Sequence, residues 1–141
     1  MRVLVVCLVA HVMVAQGCPC PWWVPDLTVV GLVASVGDAP ARWLGRSMLA
    51  GLWAMIWAVR FPVVILMGLL AVGWTVRMLA RQWDVADLRL QALVVSVAGV
   101  VMGCGALCLD SLWSVPLLGL VGARAAVTTI TVPLARRLLR V

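Results

Sequence analysis

The sequence predicts an all-α integral membrane protein, a single polytopic domain of about six transmembrane helices with both termini cytoplasmic. The first observation behind this prediction is composition: of 141 residues, 65% are hydrophobic and 11% are charged, and the mean hydropathy is +1.16. A soluble domain of this length has too much surface for its volume to bury so many apolar side chains. The second observation is that most charged residues lie between apolar segments, as expected for helix ends at a membrane surface.

Six apolar segments divide the chain, and turn-forming or charged residues separate them. The expected helices cover residues 2–16, 25–36, 43–59, 62–79, 88–109 and 113–134. The first segment has a competing interpretation, because Arg2 before a short apolar run and an Ala-Gln-Gly-Cys ending are features of a secretory signal peptide. A retained helix is favoured, since the basic region is minimal and Ala15 stands where a lipoprotein signal has leucine.

Arginine placement predicts the orientation in the membrane. With six spans and cytoplasmic termini, nine arginines face the cytoplasm: Arg2, Arg42, Arg46, Arg77, Arg81, Arg89, Arg136, Arg137 and Arg140. Only Arg60 then lies in an outer turn, while Arg124 lies within a helix. The positive-inside rule therefore favours this orientation over its inverse. It also explains the net charge of +6 without nucleic acid, for which the sequence has no basic run with interleaved aromatics.

The second helix is expected to start on the extracytoplasmic side, within residues 22–36. Trp22 and Trp23 fit the aromatic belt at a membrane–water interface. Pro25 is expected in the first helical turn, where a missing N–H removes no hydrogen bond. Asp26 places a carboxylate beside the exposed amides of that turn, where the helix dipole favours negative charge. These residues predict a helix start, and they are also candidates for contact with a partner.

Arg124 is the most unusual residue inside an expected span. If the last helix covers all of 112–134, Arg124 lies near the bilayer centre at roughly 2.5–3.5 kcal/mol on insertion scales. If the helix starts nearer Leu118, Arg124 lies in the outer third, and its head group reaches water more easily. A functional alternative is an arginine that faces the bundle and pairs with Asp110 or Asp26.

Catalytic and metal-binding motifs are absent from the sequence. One histidine and no glutamate exclude the usual helical metal sites, and there is no phosphate-binding glycine loop or nucleophile elbow. His11, inside the first helix, is expected to be neutral and bonded to a backbone carbonyl or a neighbouring helix. Cys18 and Cys20 are too close for an ordinary zinc pair, although an extracytoplasmic location would allow their oxidation. We therefore expect neither enzymatic activity nor a cofactor.

The order of these parts resembles the rod shape-determining protein MreD family over nearly the whole length. A short N-terminal helix precedes a turn that closes in Pro-Asp-Leu at residues 25–27, and the third helix contains Gly51. A polar linker ending in residues 88–93 leads into a fifth helix rich in small residues. The last helix contains Pro133 and runs into two arginines. The chain departs from the family after Gly51, where the acidic residue often found near the end of the third helix is missing.

The resemblance implies a non-enzymatic component of the bacterial inner membrane that contributes to cell shape, cell elongation and peptidoglycan synthesis. Such a protein is embedded in membrane lipid and binds MreC. Through MreC it is connected to the actin-like MreB filament and to the pair formed by RodA and a class B penicillin-binding protein. The candidate partner-binding or structural residues are Trp22, Trp23, Pro25, Asp26, Gly51, Asp110 and Arg124.

Two other functions fit the same sequence. The MreD family is similar in fold to the substrate-binding S subunits of energy-coupling-factor vitamin transporters, which have a ligand pocket near the extracytoplasmic face. Four outer tryptophans are candidates to line such a pocket, although an interfacial belt explains them equally well: Trp22, Trp23, Trp57 and Trp113. The other alternative is an accessory subunit of a respiratory or photosynthetic complex.

Overall fold

The computed structural model describes residues 1–18, 24–58, 61–84, 87–110 and 114–139. Within these ranges the chain forms six α-helices and one 3-10 turn at Pro40–Arg42, and it contains no β-strand. The helices are α1 (Arg2–Gly17), α2 (Leu27–Asp38), α3 (Trp43–Trp57), α4 (Pro62–Leu79), α5 (Leu88–Leu109) and α6 (Val115–Leu139).

Three of the described helices are long and apolar enough to cross a membrane: α4, α5 and the Val115–Ala135 part of α6. Their outward faces carry large apolar side chains, such as Met67, Val101 and Ile130, each at least 60% exposed. Hydrocarbon tails are a suitable environment for such faces, whereas water is not. The helical membrane class is therefore supported. The number of spans stays a prediction, because α1 and α2 are shorter apolar helices of 16 and 12 residues.

Helix α2 lies in the centre of the bundle and packs against each of the other five α-helices. Every residue from Thr28 to Val36 is buried. This burial follows from the sequence of α2, which is apolar on all sides and has no charged residue before Asp38. Its small residues admit close neighbours: a Cβ on Gly31 would lie 2.6 Å from the Cβ of Cys7 in α1.

Several helix ends differ by one to five residues from the positions expected from sequence, and two of these differences have a clear physical reason. Helix α2 begins at Leu27 rather than Pro25, because Asp26 is the N-cap: its side chain accepts a hydrogen bond from the Val29 amide. Helix α6 continues past Pro133 to Leu139. A proline removes only one main-chain hydrogen bond, and helices in membranes tolerate this loss where neighbouring groups compensate.

Glycines set the closest contacts between neighbouring helices. A Cβ on Gly51 in α3 would overlap the side chain of Leu66 in α4. A Cβ on Gly103 in α5 would lie 2.6 Å from Cγ1 of Val121 in α6. Small residues at such points let two backbones approach, which is the usual basis of helix packing in membranes. Gly51, one of the candidate partner-binding or structural residues, thus lies at a close contact between α3 and α4.

Most of the described arginines lie at one end of the helix bundle. The C-terminal ends of α1, α3 and α5 lie together with the N-terminal ends of α2, α4 and α6. His11, Asp26 and Trp57, which line one cavity, show this. We call this the cavity end. Helix boundaries place most described arginines at the opposite end: Arg2, Arg42, Arg46, Arg77, Arg81, Arg89 and Arg137. Arg124 is the described arginine that lines the cavity.

Substitution of Gly51 by alanine tests the α3–α4 contact. We expect Gly51→Ala to lower thermal stability in detergent, because its new methyl group overlaps Leu66, and overpacking of this kind typically costs about 1–3 kcal/mol. Gly45→Ala in the same helix is the matched control, since a Cβ there meets nothing within 4 Å. Equal melting temperatures for the two variants would contradict the close packing at Gly51.

Candidate functional site

A cavity of about 250 Å³ lies where α2 begins, and each of the six helices contributes to its lining. The short length of α2 explains where the cavity lies. Twelve residues span about 18 Å, whereas the hydrocarbon core of a bilayer is about 30 Å thick. The surrounding helices continue beyond the first turn of α2, so they enclose space above it. The floor of this space includes Asp26 and Thr28, which belong to the N-cap and the first turn.

The turn before α2 is fixed to α6 through its backbone. The amide of Asp26 donates a hydrogen bond of 2.9 Å to Oγ1 of Thr128. The Thr128 hydroxyl in turn donates to the carbonyl of Arg124, at 2.8 Å. Thr128 is only 2% exposed, so its hydroxyl has little access to other partners. One buried hydroxyl thus satisfies an orphan amide at the N-terminus of α2 and holds two distant parts of the chain together.

The carboxylate of Asp26 has two neighbours. Its Oδ1 accepts the Val29 amide at 3.3 Å, which caps α2. Its Oδ2 lies 3.9 Å from a terminal guanidinium nitrogen of Arg124. This second distance is too long for a strong hydrogen bond, so the pair attracts mainly through its opposite charges. Of the two carboxylates expected as partners for Arg124, the structure brings Asp26 into contact.

Arg124 lies inside α6 rather than at its end. The helix starts at Val115, so Arg124 is nine residues along it, a depth of about 14 Å. The observed start of α6 lies between the two starts considered from sequence. The cost of such a position is reduced because the guanidinium lines the cavity and lies beside Asp26. The Arg124 side chain is 41% exposed.

His11 connects α1 to the same turn. Its Nδ1 lies 3.2 Å from the carbonyl oxygen of Pro25. A carbonyl oxygen only accepts, so Nδ1 of His11 donates the hydrogen in this bond. The expectation of a histidine bonded to a backbone carbonyl thus matches this geometry. Pro25 lies outside α2, and its carbonyl also accepts the Leu27 amide at 2.9 Å.

Two tryptophans of α3 form the aromatic part of the cavity wall. Trp53 and Trp57 are one turn apart, with ring centroids separated by 6.2 Å and planes inclined by 56°. Trp57 is 51% exposed, whereas the ring nitrogen of Trp53 is buried. No acceptor among the described residues bonds that nitrogen. The same holds for Nε of Arg124, which is also buried.

The structure places the other sequence-predicted residues as follows. Asp110 is the C-cap of α5, and its amide donates to the Ala106 carbonyl at 3.0 Å. Gly51 is buried against α4 and does not line the cavity. Trp22, Trp23, Trp113 and Cys20 lie outside the described residues, so their expected roles stay predictions.

Sequence reasoning missed Thr128 and Trp53 as parts of this site. Both carry a weak signal that becomes clear only in retrospect. Thr128 follows Arg124 by four residues and therefore shares its helix face. Trp53 precedes Trp57 by the same interval. Neither spacing indicates which other helix the face meets, which is the information that defines the cavity.

The residues that line this cavity can recognise a ligand or a partner through charge, hydrogen bonds and apolar contact. No group of three potential metal-ligating side chains occurs within the part of the chain that the structure describes. No family model, curated protein or solved structure matches this chain. The site therefore has to be interpreted from its own groups: one guanidinium, one carboxylate, one imidazole, one hydroxyl, two indoles and an apolar remainder.

Removal of the Thr128 hydroxyl tests the link between α2 and α6. We expect Thr128→Val to destabilise the protein by about 1–3 kcal/mol, because it leaves the Asp26 amide without its buried acceptor. Thr129→Val is the matched control, since the Thr129 hydroxyl bonds only the Ala125 carbonyl of its own helix. Denaturation followed by tryptophan fluorescence measures the free energy of unfolding of both variants. If Thr129→Val lost as much stability as Thr128→Val, the proposed link between α2 and α6 would be contradicted.

Proposed function

We propose that this chain is a non-catalytic scaffold of the bacterial inner membrane that binds MreC and thereby contributes to cell elongation, cell shape and peptidoglycan synthesis. The observation that supports it best is the turn formed by Pro25 and Asp26. This turn contacts α1 through His11 and α6 through Thr128 and Arg124. A turn held from two sides presents a fixed edge to a partner, so little conformational freedom is lost on binding.

The proposal also uses the separation of charge along the bundle. Most described arginines lie at the end opposite the cavity. Under the positive-inside rule, that end faces the cytoplasm, and the cavity end faces outward. The fixed turn would then meet the extracytoplasmic part of MreC. Through MreC, the chain would be connected to MreB and to RodA with its class B penicillin-binding protein, as the family resemblance implies.

Replacement of Asp26 by leucine tests this function. We expect Asp26→Leu to reduce recovery of MreC with the tagged chain on the order of tenfold, equivalent to about 1.4 kcal/mol of binding free energy. The reason is that the variant loses the cap of α2 and the contact with Arg124, so the docking edge loosens. Mass spectrometry after mild detergent extraction measures the recovery, normalised to the amount of chain in the membrane.

Asp38→Leu is the matched control, because Asp38 is exposed at the other end of α2. We expect it to leave recovery of MreC unchanged. Asp26→Asn removes the negative charge but keeps a side chain that caps helices about as well as aspartate. It therefore tests the contribution of the charge separately from that of the helix cap. Equal recovery of MreC with wild type and Asp26→Leu, at equal membrane levels, would contradict the docking role of this turn. Recovery of a redox complex without MreC would contradict the scaffold function itself.

The cavity favours a second candidate, a substrate-binding subunit of the S type found in vitamin transporters. Its lining combines a few polar groups with aromatic and aliphatic side chains, which is typical of small-molecule sites. Such a subunit should bind a vitamin-like ligand when purified alone. An accessory subunit of a respiratory or photosynthetic complex should instead co-purify with haem or iron–sulfur partners. The partners recovered after mild extraction distinguish all three functions.

A further inference from the structure

The end of the bundle opposite the cavity carries more positive charge than its own carboxylates balance. The seven described arginines named above lie there, together with three described aspartates: Asp38, Asp84 and Asp87. The carboxylate of Asp87 accepts the Arg89 amide at 3.0 Å and caps α5. At the ends of membrane-spanning helices, such a surplus of arginine attracts anionic head groups.

Three of these arginines lie together where α3 starts and α4 ends. Cζ of Arg77, in the last turn of α4, lies 5.6 Å from the ring centroid of Trp43, within the range of a cation–π contact. Arg42 directly precedes Trp43, in the 3-10 turn that packs against both helices. Arg81 follows Arg77 by four residues, and its amide donates to the Met78 carbonyl at 3.2 Å, so the helical turns continue to it. We call Arg42, Trp43, Arg77 and Arg81 the basic corner.

The guanidinium donors of the basic corner are accessible and have no acceptor in the described part of the chain. Arg42 and Arg81 are exposed, and Arg77 is half-buried. No nitrogen of Arg77 is both buried and unpaired, which distinguishes it from Arg46, whose Nη1 is. Among the described residues, none forms a hydrogen bond or an ion pair with the side chains of Arg42, Arg77 or Arg81. The corner therefore presents donors at its surface that match the oxygens of a phosphate.

Helix α4 sets the depth of the basic corner in the membrane. It is long and apolar enough to cross a bilayer, and its 18 residues span about 27 Å, close to the hydrocarbon thickness of about 30 Å. Arg77 is in the last turn, so it lies at the edge of the hydrocarbon core. Trp74 and Trp83, on either side of Arg77 in sequence, are 52% and 62% exposed and fit an aromatic belt. Lipid phosphates lie next to this level.

An exposed face of α4 runs from the hydrocarbon level to the basic corner. Its residues follow one another at intervals of four, three and four, so they share one side of the helix, and all are exposed: Met67, Ala71, Trp74 and Met78. Arg81 continues the same spacing. A second membrane helix would favour small residues here, because they let two backbones approach. Large flexible side chains such as Met67 and Met78 suit an acyl chain instead.

We propose that the basic corner binds an anionic phospholipid, whose phosphate accepts hydrogen bonds from Arg42, Arg77 and Arg81 and whose acyl chain lies along the exposed face of α4. Trp43 is a positioning residue in this site, because its ring holds the guanidinium of Arg77 near Arg42. A phospholipid fits both parts of the surface, since it joins a negative head group to an apolar chain. An acidic protein segment would use the arginines but leave the apolar face uncovered.

This lipid site rests on the helical membrane class and does not depend on the scaffold function. Lipid binding is measured with the purified chain alone, whereas recovery of MreC is measured from membranes. Either result can fail while the other stands.

Native mass spectrometry of the purified full-length chain in detergent tests this site. Dioleoylphosphatidylglycerol and dioleoylphosphatidylcholine are titrated separately, because they share acyl chains and a phosphate but only the first has a net negative charge. We expect the chain to bind the phosphatidylglycerol about tenfold more tightly. Inorganic phosphate in excess should not displace this lipid, since the acyl chain contributes to binding.

Arg77→Gln removes the central charge of the basic corner, and we expect it to weaken phosphatidylglycerol binding about fivefold, equivalent to about 1 kcal/mol. Arg42→Gln should weaken it by a similar factor. The Arg42 side chain makes no capping hydrogen bond to α3, so this variant decides the result if Arg77→Gln fails to fold. Trp43→Leu should lower the preference for phosphatidylglycerol about twofold with every arginine in place, whereas Trp43→Phe keeps an aromatic face and should retain most of it.

Arg137→Gln is the matched control, because Arg137 is exposed at the same end of the bundle but belongs to α6, which packs against α2 and α5. It removes the same charge from a different place, and the affinity should stay within about twofold of wild type. Equal binding of the two lipids, an unchanged affinity of Arg42→Gln, or an equal loss in Arg137→Gln would overturn the proposal. Displacement of the lipid by inorganic phosphate would also overturn it.

Discussion

The hydrogen bond from the Asp26 amide to the Thr128 hydroxyl is the contact on which the rest of this structure depends. It joins residues 102 positions apart in the chain and fixes where α2 starts along α6. An amide at a helix N-terminus has no partner within its own helix. Thr128 supplies the acceptor for the amide of Asp26. The remaining length of α2 is then buried among its five neighbours.

This start position accounts for both the cavity and its polarity. A central helix of 12 residues leaves space that the longer outer helices enclose. The turn before α2, which borders the cavity, contains Asp26. Helix α6 contains Arg124 one turn before Thr128. Charges that would be costly against lipid are tolerated because Asp26 and Arg124 lie beside each other in the cavity wall. A partner that approaches this end would therefore meet charged groups held by hydrogen bonds between three parts of the chain.

Part of this arrangement could be predicted from the sequence. Composition indicates a helical membrane protein, and Arg124 with Asp26 is one of two pairings that the chain allows. The contact through Thr128 could not be predicted, because helical spacing identifies residues on one face but not the helix which that face meets. The start of α2 at Leu27 was missed for a local reason. Pro25-Asp26 fits both a proline in the first turn and an aspartate cap after a proline, and the Val29 amide selects the second. Trp53 was missed since tryptophans near helix ends also fit an interfacial belt.

Disulfide cross-linking tests most directly the position of α2 against α6 that this hydrogen bond accompanies. In a background without native cysteines, the pair Asp26→Cys and Thr128→Cys should form an intramolecular disulfide under mild oxidation, because residues whose amide and side chain are hydrogen-bonded have backbones within reach of such a bond. The pair Asp38→Cys and Thr128→Cys serves as the control, since Asp38 ends the same helix about 18 Å from Asp26. Mass spectrometry of non-reduced peptides should find the first cross-link in most molecules and the second in few. Equal yields from the two pairs would contradict the position of α2 against α6.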